Sequence, residues 1–168
     1  MTITMYQASI PVLQKMLANL SGILTKAADY AEERKMDASV VLETRIFPDM
    51  FPLIRQVQIT TDFAKSCGAR LAGIPVPSFP DTETTFADLQ TRLAATQEFL
   101  ASLKPEQIDG TEERTISFNI HEHELNFKGL DYLTGFAIPN FYFHMTAAYA
   151  ILRMCGMDLG KKDFLGKM

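Results

Sequence analysis

The side chains that titrate nearest neutral pH or bind transition metals best are few in this chain: three histidines, His121, His123 and His144, and two cysteines, Cys67 and Cys155. His144 stands out by its position. It follows Pro139-Asn140-Phe141-Tyr142-Phe143 and leads into Met145-Thr146-Ala147-Ala148-Tyr149-Ala150-Ile151-Leu152. At about 100° per residue on a helix, Phe141, Met145, Leu152 and Cys155 fall within about 60° of Ala148, and His144 within about 40°. The helix therefore points an imidazole inward, with Asn140 one turn earlier at the edge of the same face. Burying an imidazole costs free energy unless its nitrogens find partners, and Asn140 at i−4 is a ready one. The facing long helix adds Gln56, Thr60 and Thr61 at inward or edge positions. His144, Asn140 and Gln56 are the candidate ligand-binding residues, and no residue is assigned a catalytic role. The plainer alternative is a neutral core histidine held by a structural hydrogen bond.

The other reactive groups point to less. A transition-metal site needs about three good ligands from facing helices. Amides and hydroxyls beside one imidazole are poor ones, and Asp62 falls with Arg55 and Gln58 on the outer face of its helix. No metal and no cofactor is expected. His121 and His123, at i and i+2, share one face of a strand, but Glu122 and Glu124 around them read as a solvated hairpin tip. The cysteines show no CxxC or zinc-type spacing and are expected as reduced thiols, Cys67 buried, raised in pKa and inert. Arg45 and Asp49 flank a turn and are expected to lock it as an ion pair; a carboxylate-binding Arg45 is the sharper alternative.

The elements that must position these groups follow from periodicity. Leu13, Leu17, Leu20, Leu24, Ala27 and Ala31 step by threes and fours and predict a helix over 4–33, begun or kinked near Pro11. Asp37 is the expected cap of a short helix over 38–46. Asp49 is expected to cap the second long helix, with Pro52 in its first turn and a proline-rich loop after Ala72 ending it. Asp81 is expected to start the third, whose seam is Phe86, Leu89, Leu93, Thr96, Leu100 and Leu103, with Glu83 in its first turn. Over 114–127 the period changes to two, which predicts a hairpin turning near Glu122. The last helix is expected over 129–155, interrupted at Pro139 and ended by Gly156.

Four long helices with one apolar face each must pack on one another, so the fold class is an all-α four-helix bundle with a small β-hairpin before the last helix. The chain of 168 residues, 47% apolar, has the size of a single domain over 1–168. Its formal charge of −4 is dispersed, which argues against a nucleic-acid partner. There is no signal-peptide pattern and no apolar run of membrane-spanning length. A soluble, cytoplasmic protein with no membrane partner is expected.

Asp49-Met50-Phe51-Pro52-Leu53, Pro139-Asn140-Phe141-Tyr142-Phe143-His144, Tyr149-Ala150-Ile151-Leu152-Arg153 and the tail Gly160-Lys161-Lys162-Asp163-Phe164-Leu165-Gly166 resemble a domain-of-unknown-function family within the DinB/YfiT-like superfamily. The resemblance covers nearly the whole chain. It implies a DinB/YfiT-like four-helix bundle that forms a homodimer. In better-studied relatives it implies a divalent metal on three histidines, and in several of them thiol-dependent transferase activity. Carried onto this chain, those histidines fall near Asn140, at His144, and near Gln56 or Thr60, so the triad is degraded at two of three positions. The expected function is binding of a small molecule in a polar pocket near the last helix. The alternatives are a metal- or thiol-dependent transferase, with His144 as base or weak ligand, and a homodimeric scaffold module.

Overall fold

The computed structural model describes residues 2–166. Helix α1 (Met5–Glu33) is opened by a reciprocal cap in which the Gln7 N–H donates to the Thr4 hydroxyl and the Thr4 N–H to the Gln7 side chain. The helix runs unbroken through Pro11. The carbonyl which that proline leaves unpaired belongs to Gln7, an exposed residue that water can reach. The stripe from Leu13 to Ala31 is buried as the periodicity predicts.

Helix α2 (Ala38–Leu42) is capped by Asp37, whose carboxylate accepts from the Ser39 N–H at 2.9 Å, but it ends four residues sooner than expected. The Thr44 carbonyl is taken by the Leu53 N–H at 2.9 Å, which turns the chain into the next helix. Helix α3 (Leu53–Ala72) therefore begins after Pro52, not at an Asp49 cap. The proline holds Phe51 out of the helical region, so a cap at Asp49 could not lead into continuous helix. Arg45 and Asp49 are both exposed and form no ion pair among the described residues. Gly73 closes α3 with φ +70, the left-handed conformation glycine accepts most readily.

Helix α4 (Phe86–Ser102) starts five residues later than Asp81. Thr85 and Asp88 cap it reciprocally, while Asp81 and Glu83 stay in the preceding loop and face arginines. Its predicted seam is buried throughout. After the single turn α5 (Pro105–Ile108), β1 (Thr115–Ile120) and β2 (His123–Lys128) pair antiparallel, from Thr115↔Lys128 to Ile120↔His123. The hairpin lies on the helices through Ile116, Phe118 and Phe127, as an isolated two-stranded ribbon must.

The last helix is interrupted where proline requires it. A turn α6 (Gly129–Asp131) leads into a π-helical segment, Tyr132–Ala137, and then α7 (Ile138–Met154). Pro139 cannot donate to the carbonyl four residues back, and the widened turn absorbs that mismatch. Gly156 follows at φ +86. The short α8 (Lys161–Leu165) returns to α1 through Asn19, which donates to the Phe164 carbonyl at 3.0 Å, and a Lys26–Asp163 pair at 2.6 Å. Helix α4 packs on α1 and α3, and α3 packs on α7, around a core of leucine, isoleucine, Tyr132 and Phe141. Among the described residues no helix is long and apolar enough to cross a membrane.

Two glycines test this packing. A Cβ on Gly129 would lie 2.0 Å from the Thr111 carbonyl, whereas one on Gly22 would meet nothing within 4 Å. Gly129→Ala is expected to destabilise the fold by about 3 kcal/mol, from overpacking against backbone. Gly22→Ala, in an exposed helix interior, should stabilise it by about 0.5–1 kcal/mol. Chemical denaturation of the two variants measures both signs.

Candidate functional site

Helix α3 carries Gln56 inward and α7 carries His144 towards it. Gln56 is 1% exposed and His144 is half-buried. His144 Nδ1 lies 2.7 Å from Gln56 Oε1, and Gln56 Nε2 donates to the Phe51 carbonyl at 3.1 Å. The second bond fixes the first. With its amide nitrogen committed to a carbonyl, Gln56 presents only an oxygen to the imidazole, so Nδ1 carries the proton and donates. The lone pair of this neutral ring then sits on Nε2. Phe63 lies nearly parallel to the imidazole, 14° between planes at 5.8 Å, and Phe143 meets it edge-on at 5.1 Å. Burial, and after it the positive field of Arg55, hold His144 below the ordinary histidine range. At neutral pH the ring is an uncharged acceptor.

Of the three predicted site residues, the structure joins Gln56 and His144 directly. Asn140 turns its amide back to the Phe136 carbonyl at 2.8 Å, bracing the helix just past the π segment. Thr60 returns its hydroxyl to the Gln56 carbonyl at 2.7 Å. This donor set does not fit the divalent metal that the resemblance implies. One imidazole is present, and both amides are engaged with protein partners. Among the described residues no three histidine, cysteine or acidic side chains are placed to hold an ion. His121 and His123 stand exposed at the hairpin tip. Cys67 is enclosed in the core, where burial pushes its thiol up to about 12, so it is not a thiolate at neutral pH.

Asp62, Arg55 and Gln58 lie together on the outer face of α3, but that face is not left open. The 74–85 loop folds over that flank and buries Gln58, Lys65 and Arg92 against partly exposed carboxylates. Arg92, 4% exposed, reaches the Thr61 hydroxyl and Asp62 at 2.7 Å, Glu83 at 2.9 Å and Asp81 at 3.1 Å. Lys65, also buried, pairs with Asp62 at 2.6 Å beneath the Phe79 ring. Gln58 donates to Glu83 at 2.8 Å, and Arg55 pairs with Asp81. Burial pushes Glu83 upward, but hydrogen bonds from Arg92, its own backbone N–H and Gln58 outweigh it and hold it below the usual carboxylate range. The signal in the sequence was Arg92, three residues after Leu89 and four before Thr96 on the α4 seam.

Two hollows adjoin the imidazole through its aromatic neighbours; His144 itself lines neither. Phe143 is a wall of a groove of about 420 Å³ with Ile46, Met50, Tyr142 and Thr146. Phe63 is a wall of a cleft of about 150 Å³ below the hairpin.

The family described as Domain of unknown function (DUF1993) matches residues 5–165. The crystal structure of a DinB family member protein from Shewanella denitrificans is 40% identical, with a TM-score of 0.87 over 97% of this chain and 92% of that one. No curated protein sequence matches the chain.

The depressed His144 sets a pH window. The unfolded chain takes up a proton near the ordinary value of about 6.5, and the folded ring takes it up only at lower pH. The unfolded state therefore binds more protons between those values, and stability falls as pH drops below about 6.5. Glu83 contributes a separate loss below about 4.5. Urea titrations from pH 7.5 to 4 should show the first loss in the wild type and its absence in His144→Asn, with the second retained in both.

Proposed function

The chain belongs to the DUF1993 family, with a DinB-like fold, and we propose that it binds a small molecule beside α7, where His144 Nε2 accepts a hydrogen bond. The observation that carries this reading is the Phe51–Gln56–His144 relay, which leaves a neutral, oriented acceptor at the edge of the core. A purely structural histidine in a core would have both ring nitrogens served; here Nε2 has no partner among the described residues. The apolar groove behind Phe143 has the size of a small-ligand site and the mostly apolar lining such sites have. The fitting ligand has an apolar body and one hydrogen-bond donor. This function requires no metal ligation by Gln56 or Asn140, and it is assigned to the cytoplasm, where the two thiols stay reduced.

A second reading is favoured by one feature of the same surface. Phe143, a wall of the groove, is 60% exposed, and Phe47 and Phe51, next in sequence to the groove residues Ile46 and Met50, are 62% and 52% exposed; large exposed apolar patches mark association sites. A homodimer would cover them. The transferase alternative has in its favour only the Nε2 lone pair, as a general base.

A fragment set of apolar alcohols, amides and phenols, followed by the His144 ring resonances, tests the first reading. Fragments that bind should move the His144 signals, and Thr146→Trp, which fills the groove, should abolish that shift. Binding that leaves the ring signals unmoved, or no binding at millimolar concentration, contradicts it. Sedimentation of the same sample tests the second: a monomer at all concentrations removes the dimer.

A further inference from the structure

Arg70, on the last turn of α3, is a partly buried guanidinium with no acidic partner among the described residues. Its Nη1 donates to the Tyr132 hydroxyl at 3.1 Å, and its guanidinium carbon lies over Phe118, 3.7 Å from the ring centre. Neither Nε nor Nη2 donates to any described residue. Arg70 is a wall of the 150 Å³ cleft, together with Ser66, Asp62, Phe63, Ile120 and Phe136. The other two cationic side chains of α3, Arg55 and Lys65, are paired with Asp81 and Asp62. Arg70 is the one on this helix whose charge is left for something else.

The backbone beside the cleft is unusual as well. Tyr132 and Phe136 both belong to the π-helical segment. One aims a hydroxyl at Arg70 and the other forms the cleft wall. Segments of this kind appear as local departures from α-geometry, frequently at functional sites. Phe118, Phe127, Tyr132 and Phe136 pack ring on ring with centroids 5.3–6.1 Å apart, which makes the walls rigid.

We propose that this cleft is a binding site for a small carboxylate with a planar apolar body, its carboxylate on the free Nε–Nη2 edge of Arg70 and its ring between Phe63, Phe136 and Ile120. A planar guanidinium edge matches a carboxylate with two parallel hydrogen bonds. A cavity of about 150 Å³ holds a benzene-sized ring. One guanidinium balances a single negative charge, and Asp62 at the rim, itself paired with Lys65 and Arg92, adds nothing to offset a second, so a carboxylate is favoured over a phosphate monoester. The site stands apart from the His144 reading and shares with it only the Phe63 ring.

Phenylacetate, phenylacetamide and phenyl phosphate, titrated into the full-length protein and followed by amide chemical shifts, test the assignment. Phenylacetate should shift Ser66, Arg70 and Ile120, with the amide and the phosphate at least tenfold weaker. Arg70→Met should weaken phenylacetate at least tenfold. Ile120→Trp, which fills the cleft from its exposed rim and leaves Arg70 intact, should abolish binding even if the arginine variant is unstable. His144→Asn should change it less than twofold. An amide or phosphate that binds as tightly, or an Ile120→Trp protein that binds unchanged, overturns the assignment, as does silence of all three probes. A loss on His144→Asn equal to that on Arg70→Met overturns the separation of the two sites.

Discussion

A polar side chain buried in a helical bundle must be given its partners by the fold, because an unpaired amide or charge there costs on the order of 1–3 kcal/mol or more. Helix α3 meets that demand on both flanks. Towards α7 it buries Gln56, satisfied by one backbone carbonyl and one imidazole. Towards α4 it buries Lys65 and faces Arg92, satisfied by three carboxylates and a threonine hydroxyl. Among the described residues no buried side-chain nitrogen or oxygen lacks a partner. Removing either set would leave groups stranded, so each set fixes how α3 sits against its neighbour.

The two sets are linked through irregular backbone. Pro52 keeps Phe51 out of helical geometry, and the Phe51 carbonyl is thereby free to receive the Gln56 amide. That bond orients Gln56, and Gln56 in turn selects the imidazole tautomer. Arg55, one residue before Gln56, pairs with Asp81 of the covering loop and also contributes to the low His144 pKa. The corner before α3, the loop after it and the imidazole on α7 form one electrostatic unit. In that unit the proline-rich segments act as positioning elements, not spacers.

Helical angles alone were enough to bring Gln56 and His144 to one interface, because both lie on long, strongly periodic helices. The bundle, the hairpin and the α4 seam were legible for the same reason. Asn140 was not placed, because its partner is the Phe136 carbonyl of a π segment, whose register no 3.6-residue period describes. The starts of α3 and α4 were read at Asp49 and Asp81 because each aspartate precedes an apolar run. In the fold Pro52 blocks the first, and Arg55 and Arg92 claim the second. The buried charges were missed for a tertiary reason: Asp62, Arg55 and Gln58 do share an outer face of α3, but the loop over 74–85 covers it. Only Arg92, a charge within an otherwise apolar seam, carried a trace of this in the sequence. Arg70 carried none, since its importance lies in the acidic partner it does not have.

Gln56, oriented by the Phe51 carbonyl, holds His144 neutral with its proton on Nδ1 and its lone pair on Nε2. Long-range proton–nitrogen spectra of histidine-labelled protein at pH 7.5 report this directly. A protonated Nδ1 and an unprotonated Nε2 are expected for His144, with mixed tautomers in Gln56→Leu. A proton on Nε2 in the wild type, or a ring already doubly protonated at that pH, would contradict it.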